Sequence, residues 1–182
     1  MLTFRNLRPA EATPALFAGF IRRQVVVDCW RWENGGWTIR PDPFIDDWSA
    51  ADIAVLAAGL RRTLAAGGFV RAAFCGAQLK GFAAAAAQPC GAQGEYIDLL
   101  ELHVSADWRG RGAGTALFAA AAAWARGRGA QKLYISAHSA AETQAFYRGL
   151  GCTDAAWRHP AHTAAEPFDC QLEYDLRAAG KV

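Results

Sequence analysis

Hydrophobic positions recur at two spacings along this chain, every second residue and every third to fourth, and the switches between them lay out the elements. Residues 2–7 alternate weakly and read as a first strand. Thr13-Pro14 pairs an N-cap residue with proline at the first helical position, which predicts a helix to about Arg23 that buries Leu16, Phe17 and Phe20. Residues 25–32 and 37–40 flank Glu33-Asn34-Gly35-Gly36. Asn-Gly between apolar runs is a hairpin signal. Pro41 and Pro43 then enforce an extended link. Ser49 and Asp52 form a capping pattern, and the helix behind them carries Ile53, Leu56, Leu60 and Leu64 until Gly67-Gly68 stops it.

Residues 69–74 and 78–87 read as an antiparallel hairpin turning at Cys75-Gly76, followed by a loop at 89–94. Tyr96–Val104 has strand length and composition, residues 113–126 are alanine-rich and helical, and Lys132–Ala137 is a further strand. Ser139 and Glu142 form a capping box that opens a helix to Leu150. Residues 152–157 and 168–176 close the chain as strands around a polar loop at 158–167. No repeat and no linker interrupts this order, so residues 1–182 read as one domain, an α/β layered arrangement with a mixed sheet.

The strand at Tyr96–Val104 leads to Arg109-Gly110-Arg111-Gly112-Ala113-Gly114-Thr115 and then to a helix. The first amides of a helix lack internal partners and sit at the positive end of its dipole. Glycines let that backbone approach an anion closely, so the arrangement is a phosphate cradle to which Arg109 and Arg111 add charge. A Walker loop is excluded because Gly-Lys-Ser/Thr is absent, and a dinucleotide fingerprint because Thr115 stands where its third glycine belongs. What remains is Arg-x-x-Gly-x-Gly, filled by Arg109, Gly112 and Gly114. It resembles the acyl-CoA pyrophosphate loop of the GNAT superfamily of N-acetyltransferases. Phe146-Tyr-Arg-Gly-Leu-Gly-Cys152 is similar to that family's Phe/Leu-Tyr-x-x-x-Gly-Phe signature, and the resemblance is tight over residues 96–152.

The resemblance implies a GNAT-like layered fold: a mixed central β-sheet, flanked by helices, whose central parallel strands, here Tyr96–Val104 and Lys132–Ala137, splay apart. It implies acetyl-CoA as co-substrate, with the pantetheine arm along the backbone of Leu102, His103 and Val104 and the pyrophosphate on residues 109–115. The implied reaction moves an acetyl group by direct attack of a primary amine, on a small molecule or an exposed amino group. An asparagine often precedes the second helix in the family; here Ser136, His138 and Ser139 stand in that region, and which of them replaces the contact is open.

Acetyl transfer from a thioester needs a base for the ammonium, donors for the oxyanion and an acid for the thiolate. Tyr147 is the acid candidate, placed at the edge of a buried stripe of Phe146 and Leu150; the alternative is a core tyrosine. For the base, Glu101 ranks first, because it and His103 interrupt an apolar strand and a buried polar residue needs a reason. Asp98 is the second candidate, on the opposite face unless a bulge changes the parity. A backbone amide near Leu102 and His103 would serve the oxyanion. Trp30, Trp32, Trp37, Asp46, Asp47 and Trp48 form an aromatic and acidic cluster suited to a cationic acceptor. A non-catalytic acyl-CoA-binding regulatory module is the alternative reading; it keeps the loop and has no need of Tyr147.

Composition narrows the setting. Hydrophobic residues make up 53% and charged residues 20% of 182, a globular balance. A formal charge of +2 argues against nucleic-acid binding, despite Arg-Gly-Arg-Gly. Cys29, Cys75, Cys90, Cys152 and Cys170 are scattered, with no C-x-x-C pair, which points to reduced thiols in the cytoplasm and away from a cysteine-based metal site. No metal is expected. The chain starts without an apolar leader, and its longest apolar run is too short for a bilayer, so no membrane partner is expected. Monomer and homodimer both remain open.

Overall fold

The computed structural model describes residues 1–177. In chain order its elements are β1 (Thr3–Asn6), β2 (Gln24–Glu33), β3 (Gly36–Asp46), α1 (Ala50–Ala65), β4 (Phe69–Cys75), β5 (Gln78–Cys90), β6 (Tyr96–Val104), α2 (Ala113–Gly127), β7 (Lys132–Ala137), α3 (Ala141–Gly149), β8 (Thr153–Asp154), α4 (Pro160–Ala165) and β9 (Cys170–Asp175). Among the described residues, seven strands form one mixed sheet in the order β1-β4-β5-β6-β7-β9-β8, and β2 and β3 form a separate ribbon. Only β6 and β7 run parallel within the sheet. Helices lie on both faces. Phe118 of α2 packs with Leu99, Leu133 and Leu172 on one. Leu60 of α1 packs with Phe17, Phe74 and Phe82 on the other. No helix among the described residues is long and apolar enough to cross a membrane.

The capping pattern at Ser49 forms as expected: its hydroxyl accepts the Asp52 amide at 3.2 Å, and Asp52 accepts the Ser49 amide at 2.8 Å. Ser49→Ala removes that cap, so a loss of about 1 kcal/mol is expected. A fall in Tm of about 2–4 °C in a thermal melt would register it.

Five local expectations are corrected. The helix proposed from Thr13 to Arg23 is absent; 3-10 turns at Pro9–Glu11 and Pro14–Phe17 take its place. The chain beyond them is held sideways, with the Ile21 amide donating to Ser105 Oγ (3.0 Å) and the Ile21 carbonyl accepting from Ala106 (2.8 Å). These tertiary bonds replace the helical ones that Ile21 would have made.

Pro41 and Pro43 lie inside β3 rather than in a link beyond it. A two-stranded ribbon is all edge, where proline's missing N–H is tolerated. The capping box at Ser139 does not form: Ala140 is the N-cap of α3, and Ser139 Oγ accepts from Arg31 at 2.7 Å. The strand expected at 152–157 shrinks to the two residues of β8, because the chain then turns to stack Trp157 on Tyr96. The polar loop at 158–167 contains α4, started by Pro160 and capped by His159, whose Nδ1 accepts the Ala161 amide at 3.2 Å.

Candidate active site

Strand β6 decides what faces the site. Leu99 pairs with Ala85 and Glu101 with the adjacent Ala84, so Leu100 is an extra residue, a β-bulge. Paired side chains share a face. Leu99, Leu102 and Val104 therefore point toward α2, and their packing clusters agree. Asp98, Glu101 and His103 share the opposite face. In a regular strand Asp98 and Glu101 would lie on opposite faces; the bulge brings them to the same one.

Pairing between β6 and β7 covers only Tyr96, Ile97 and Asp98 against Lys132, Leu133 and Tyr134. Beyond that point β7 stays with β9 and β6 with β5, and the two central strands part. A cleft of about 1330 Å³ runs through the opening, lined by residues 99–104 on one side and by Ser136, Ala137 and His138 on the other.

At the α2 end the cleft is lined by Arg109, Gly110, Gly112, Ala113, Gly114 and Thr115. The N-cap of α2 is Gly112, at φ +79°, and Ala116 donates the first helical bond back to its carbonyl at 3.1 Å. The amides of Ala113, Gly114 and Thr115 thus lack intrahelical partners. Arg109 does not extend into the cradle: its Nε donates to the Val104 carbonyl (3.2 Å) and its Nη2 to the Arg22 carbonyl (2.8 Å), tying loop to strand. Arg111 stacks on Trp108 at 4.8 Å and is not part of the cleft lining.

The opposite wall is built from the end of β3 and from α1. Asp46, Asp47, Trp48 and Asp52 line it. Asp46 pairs with Arg22, whose guanidinium is held below its ordinary pKa by burial. Trp48 meets His103 edge to face at 4.9 Å. His103 Nε2 lies 2.8 Å from Glu101 Oε2, so these two residues of β6 are partners of one another. Trp30 and Trp32 fall outside the cleft lining. Trp30 packs on Trp37 and under Arg148, and Trp32 is 56% exposed on the ribbon.

Tyr147 lines the cleft from α3, yet it is only 7% exposed. The helix buries Gln144 and Tyr147 and leaves Phe146 and Leu150 half-buried, the reverse of the expected stripe. Gln144 fixes the preceding turn by donating to the His138 carbonyl at 2.9 Å. The Tyr147 hydroxyl has no hydrogen-bond partner among the described residues. Burial, together with the nearby Cys152, Glu101 and Asp169, pushes its pKa above the ordinary phenol value. Ser136 and His138 border the cleft, whereas Ser139 is turned to Arg31.

Asp98 shares a face with Glu101 but does not line the cleft; its Oδ2 sits 2.6 Å from His162 Nε2. Among the cleft residues given no site role in the sequence analysis are Glu142, His162, Glu166 and Asp169. Burial raises the Asp169 carboxyl above its usual range. Glu142 was read only as a cap, and the other three lie in or beside a stretch read as a polar loop, so no periodic signal marked them.

Residues 27–152 match the model of the acetyltransferase (GNAT) family. The chain belongs to that family. Among solved structures, a nourseothricin acetyltransferase aligns with a TM-score of 0.64 at 19% identity, over 94% of this chain and 95% of that one. A Bacillus anthracis str. Ames protein, described as a candidate streptothricin acetyltransferase and solved in complex with acetyl coenzyme A, gives 0.68 at 14% identity over 95% and 96%. The PaiA N-acetyltransferase of Thermoplasma acidophilum, in complex with coenzyme A, gives 0.58 at 12% over 96% and 99%. At these identities the likeness carries the GNAT fold alone. A comparison with curated proteins finds no match.

Proposed function

We propose that this GNAT protein is an acetyl-CoA-dependent N-acetyltransferase whose acceptor is a cationic primary amine, on a small molecule or an exposed amino group. The observation that carries the reading is one continuous cleft joining the α2 cradle to an acidic wall through the gap between β6 and β7. The residues present fit acetyl-CoA. A Cβ built at Gly110 or Gly112 would meet nothing within 4 Å, so the cradle is open to an anion. The amides of Ala113, Gly114 and Thr115 would hold the pyrophosphate, with Gly110 beside them and Arg111, stacked on Trp108, outside the cleft lining. The backbone of Leu102, His103 and Val104 would hold the pantetheine arm. Acetyl-CoA supplies, when bound, an acyl group activated as a thioester.

Carboxylates at Asp47, Glu142, Glu166 and Asp169 favour a positively charged acceptor in the cleft, Asp46 being paired with Arg22. Glu101, held by His103, takes a proton from the ammonium and frees its lone pair for direct attack. A β6 amide near Leu102 stabilises the oxyanion. Tyr147 returns a proton to the departing sulfur.

Calorimetric titration with acetyl-CoA, free CoA and ATP, followed by thiol release with a panel of amines, tests the reading. Binding of CoA species over ATP and amine-dependent thiol release are expected. Binding without release from any amine would favour a regulatory module, and no binding would remove the enzyme. Glu101→Gln should lower kcat about 10²-fold, at the low end for general bases. Unchanged kcat in the folded variant would return the task to water.

A further inference from the structure

Asp98, His159 and His162 come from two segments 64 residues apart (Asp98 to His162) and converge beside the closed end of the β6–β7 gap. Asp98 pairs in register with Tyr134, the last parallel pair before the strands part. His159 caps α4 and His162 follows three residues later, a spacing that puts both rings on one side of the first turn. One ligand atom from each of the three residues lies within 4.8 Å of the other two.

The second observation is an unmet polar atom. The Asp98 side chain is 8% exposed, and its Oδ2 is taken by His162. Its Oδ1 is buried with no hydrogen-bond partner among the described residues. Leaving a buried carboxylate oxygen without a donor costs a large desolvation penalty. His159 is near enough to help, yet its Nδ1 is occupied with the Ala161 amide and its ring makes no bond to Asp98. The surroundings hold both rings in place. Tyr134 stacks on His162 at 5.9 Å and an interplanar angle of 21°, and its hydroxyl accepts the His159 amide at 2.9 Å.

We propose that Asp98, His159 and His162 form a binding site for a divalent transition-metal ion of the zinc type. Two imidazoles and one carboxylate match the donor preference of zinc, and three protein ligands leave a fourth position for water or a bound molecule. The set has too few oxygens for calcium or magnesium. Metal bonds of about 2.0–2.2 Å require the Asp98–His162 contact to open and His159 to close in, a small movement of the six-residue α4. Cys90 does not complete the site. Its sulfur is not among the ligand atoms that lie within 4.8 Å of one another. Of the three residues, His162 lines the cleft. The ion would also tether α4 to β6. This proposal stands apart from the acetyl-transfer reading, because binding of the metal is measured directly.

The experiment uses full-length protein stripped with a chelator and titrated with Zn²⁺ by calorimetry, with Mg²⁺ as control. Bound zinc is counted after dialysis. One Zn²⁺ per chain with micromolar or tighter affinity is expected, and Tm should rise with added zinc. His159→Gln and His162→Gln should each weaken binding on the order of 100-fold or more, beyond the loss of an outer-shell partner. Co²⁺ should show the visible absorption of a four- or five-coordinate ion in the wild type and lose it in both variants. Both histidines are partly exposed, so the variants are checked for folding by circular dichroism; Asp98→Asn is a third arm. Absence of stoichiometric Zn²⁺ binding would overturn the site. So would wild-type affinity in the folded histidine variants, since other residues would then hold the ion.

Discussion

Tyr147→Phe is expected to lower turnover by about 10²–10⁴-fold, the range for loss of a general acid, with acetyl-CoA affinity nearly unchanged. The substitution removes one atom and keeps the ring against Phe118 and Phe146, whose centroids lie 6.1 and 5.1 Å away. Among the described residues the hydroxyl has no hydrogen-bond partner to lose, so stability should move by less than about 1 kcal/mol. A purely structural tyrosine would therefore give an active, stable variant. An acid would give a stable and nearly inactive one. Pre-steady-state release of thiol separates the two, because only the acid role slows the step that expels sulfur. Burial holds the phenol above its ordinary pKa, so Tyr147 stays protonated across the usual assay range. An alkaline limb in the wild-type profile therefore belongs to another group and should survive in Tyr147→Phe. A normal turnover in this variant would return Tyr147 to the core.

Elements whose signal is local were legible. The bounds of β6 and β7 follow from buried apolar runs between polar and glycine-rich segments, and the cradle follows from glycine spacing ahead of an alanine-rich helix. What was hidden depends on contacts across the chain. Nothing near Leu100 announces a bulge, yet that residue decides whether Asp98 and Glu101 share a face. The segment after Pro14 carries good helix signals and is overruled by bonds from Ile21 to Ser105 and Ala106. Helix α3 is rotated relative to its apolar pattern, because Gln144 spends its amide on the β7–α3 turn and brings Tyr147 inward with it. The Asp98–His162 pair spans the sheet and a short helix, so no spacing rule connects its members. Of the tryptophans that composition picks out, Trp48, beyond the ribbon, lines the cleft, whereas Trp30 packs on Trp37 and the core and Trp32 lies exposed on the ribbon.

Substitutions in the cradle should separate binding from folding. Gly112→Val is expected to weaken acetyl-CoA binding by about 10²–10⁴-fold, the equivalent of losing two hydrogen bonds to a charged group at about 1.5–3 kcal/mol each. Gly112 sits at φ +79°, where a residue with a Cβ is strained by roughly 1–2 kcal/mol. Its Cβ would meet no atom within 4 Å, so the side chain enters open space at the mouth of the cradle and leaves the core untouched. The protein should therefore stay folded, with a modestly lower Tm. Gly114 differs. A Cβ there would lie 3.2 Å from Cε2 and Cζ of Phe146, so Gly114→Ala must displace that ring, the neighbour of Tyr147. Its defect should appear in both affinity and turnover, whereas Gly112→Val at saturating acetyl-CoA should recover much of its turnover. Calorimetry of both variants, paired with kcat at high acetyl-CoA, reads the difference. Unchanged affinity in folded Gly112→Val would mean that the amides at the start of α2 do not hold the pyrophosphate, and the cleft would need another anchor for the co-substrate.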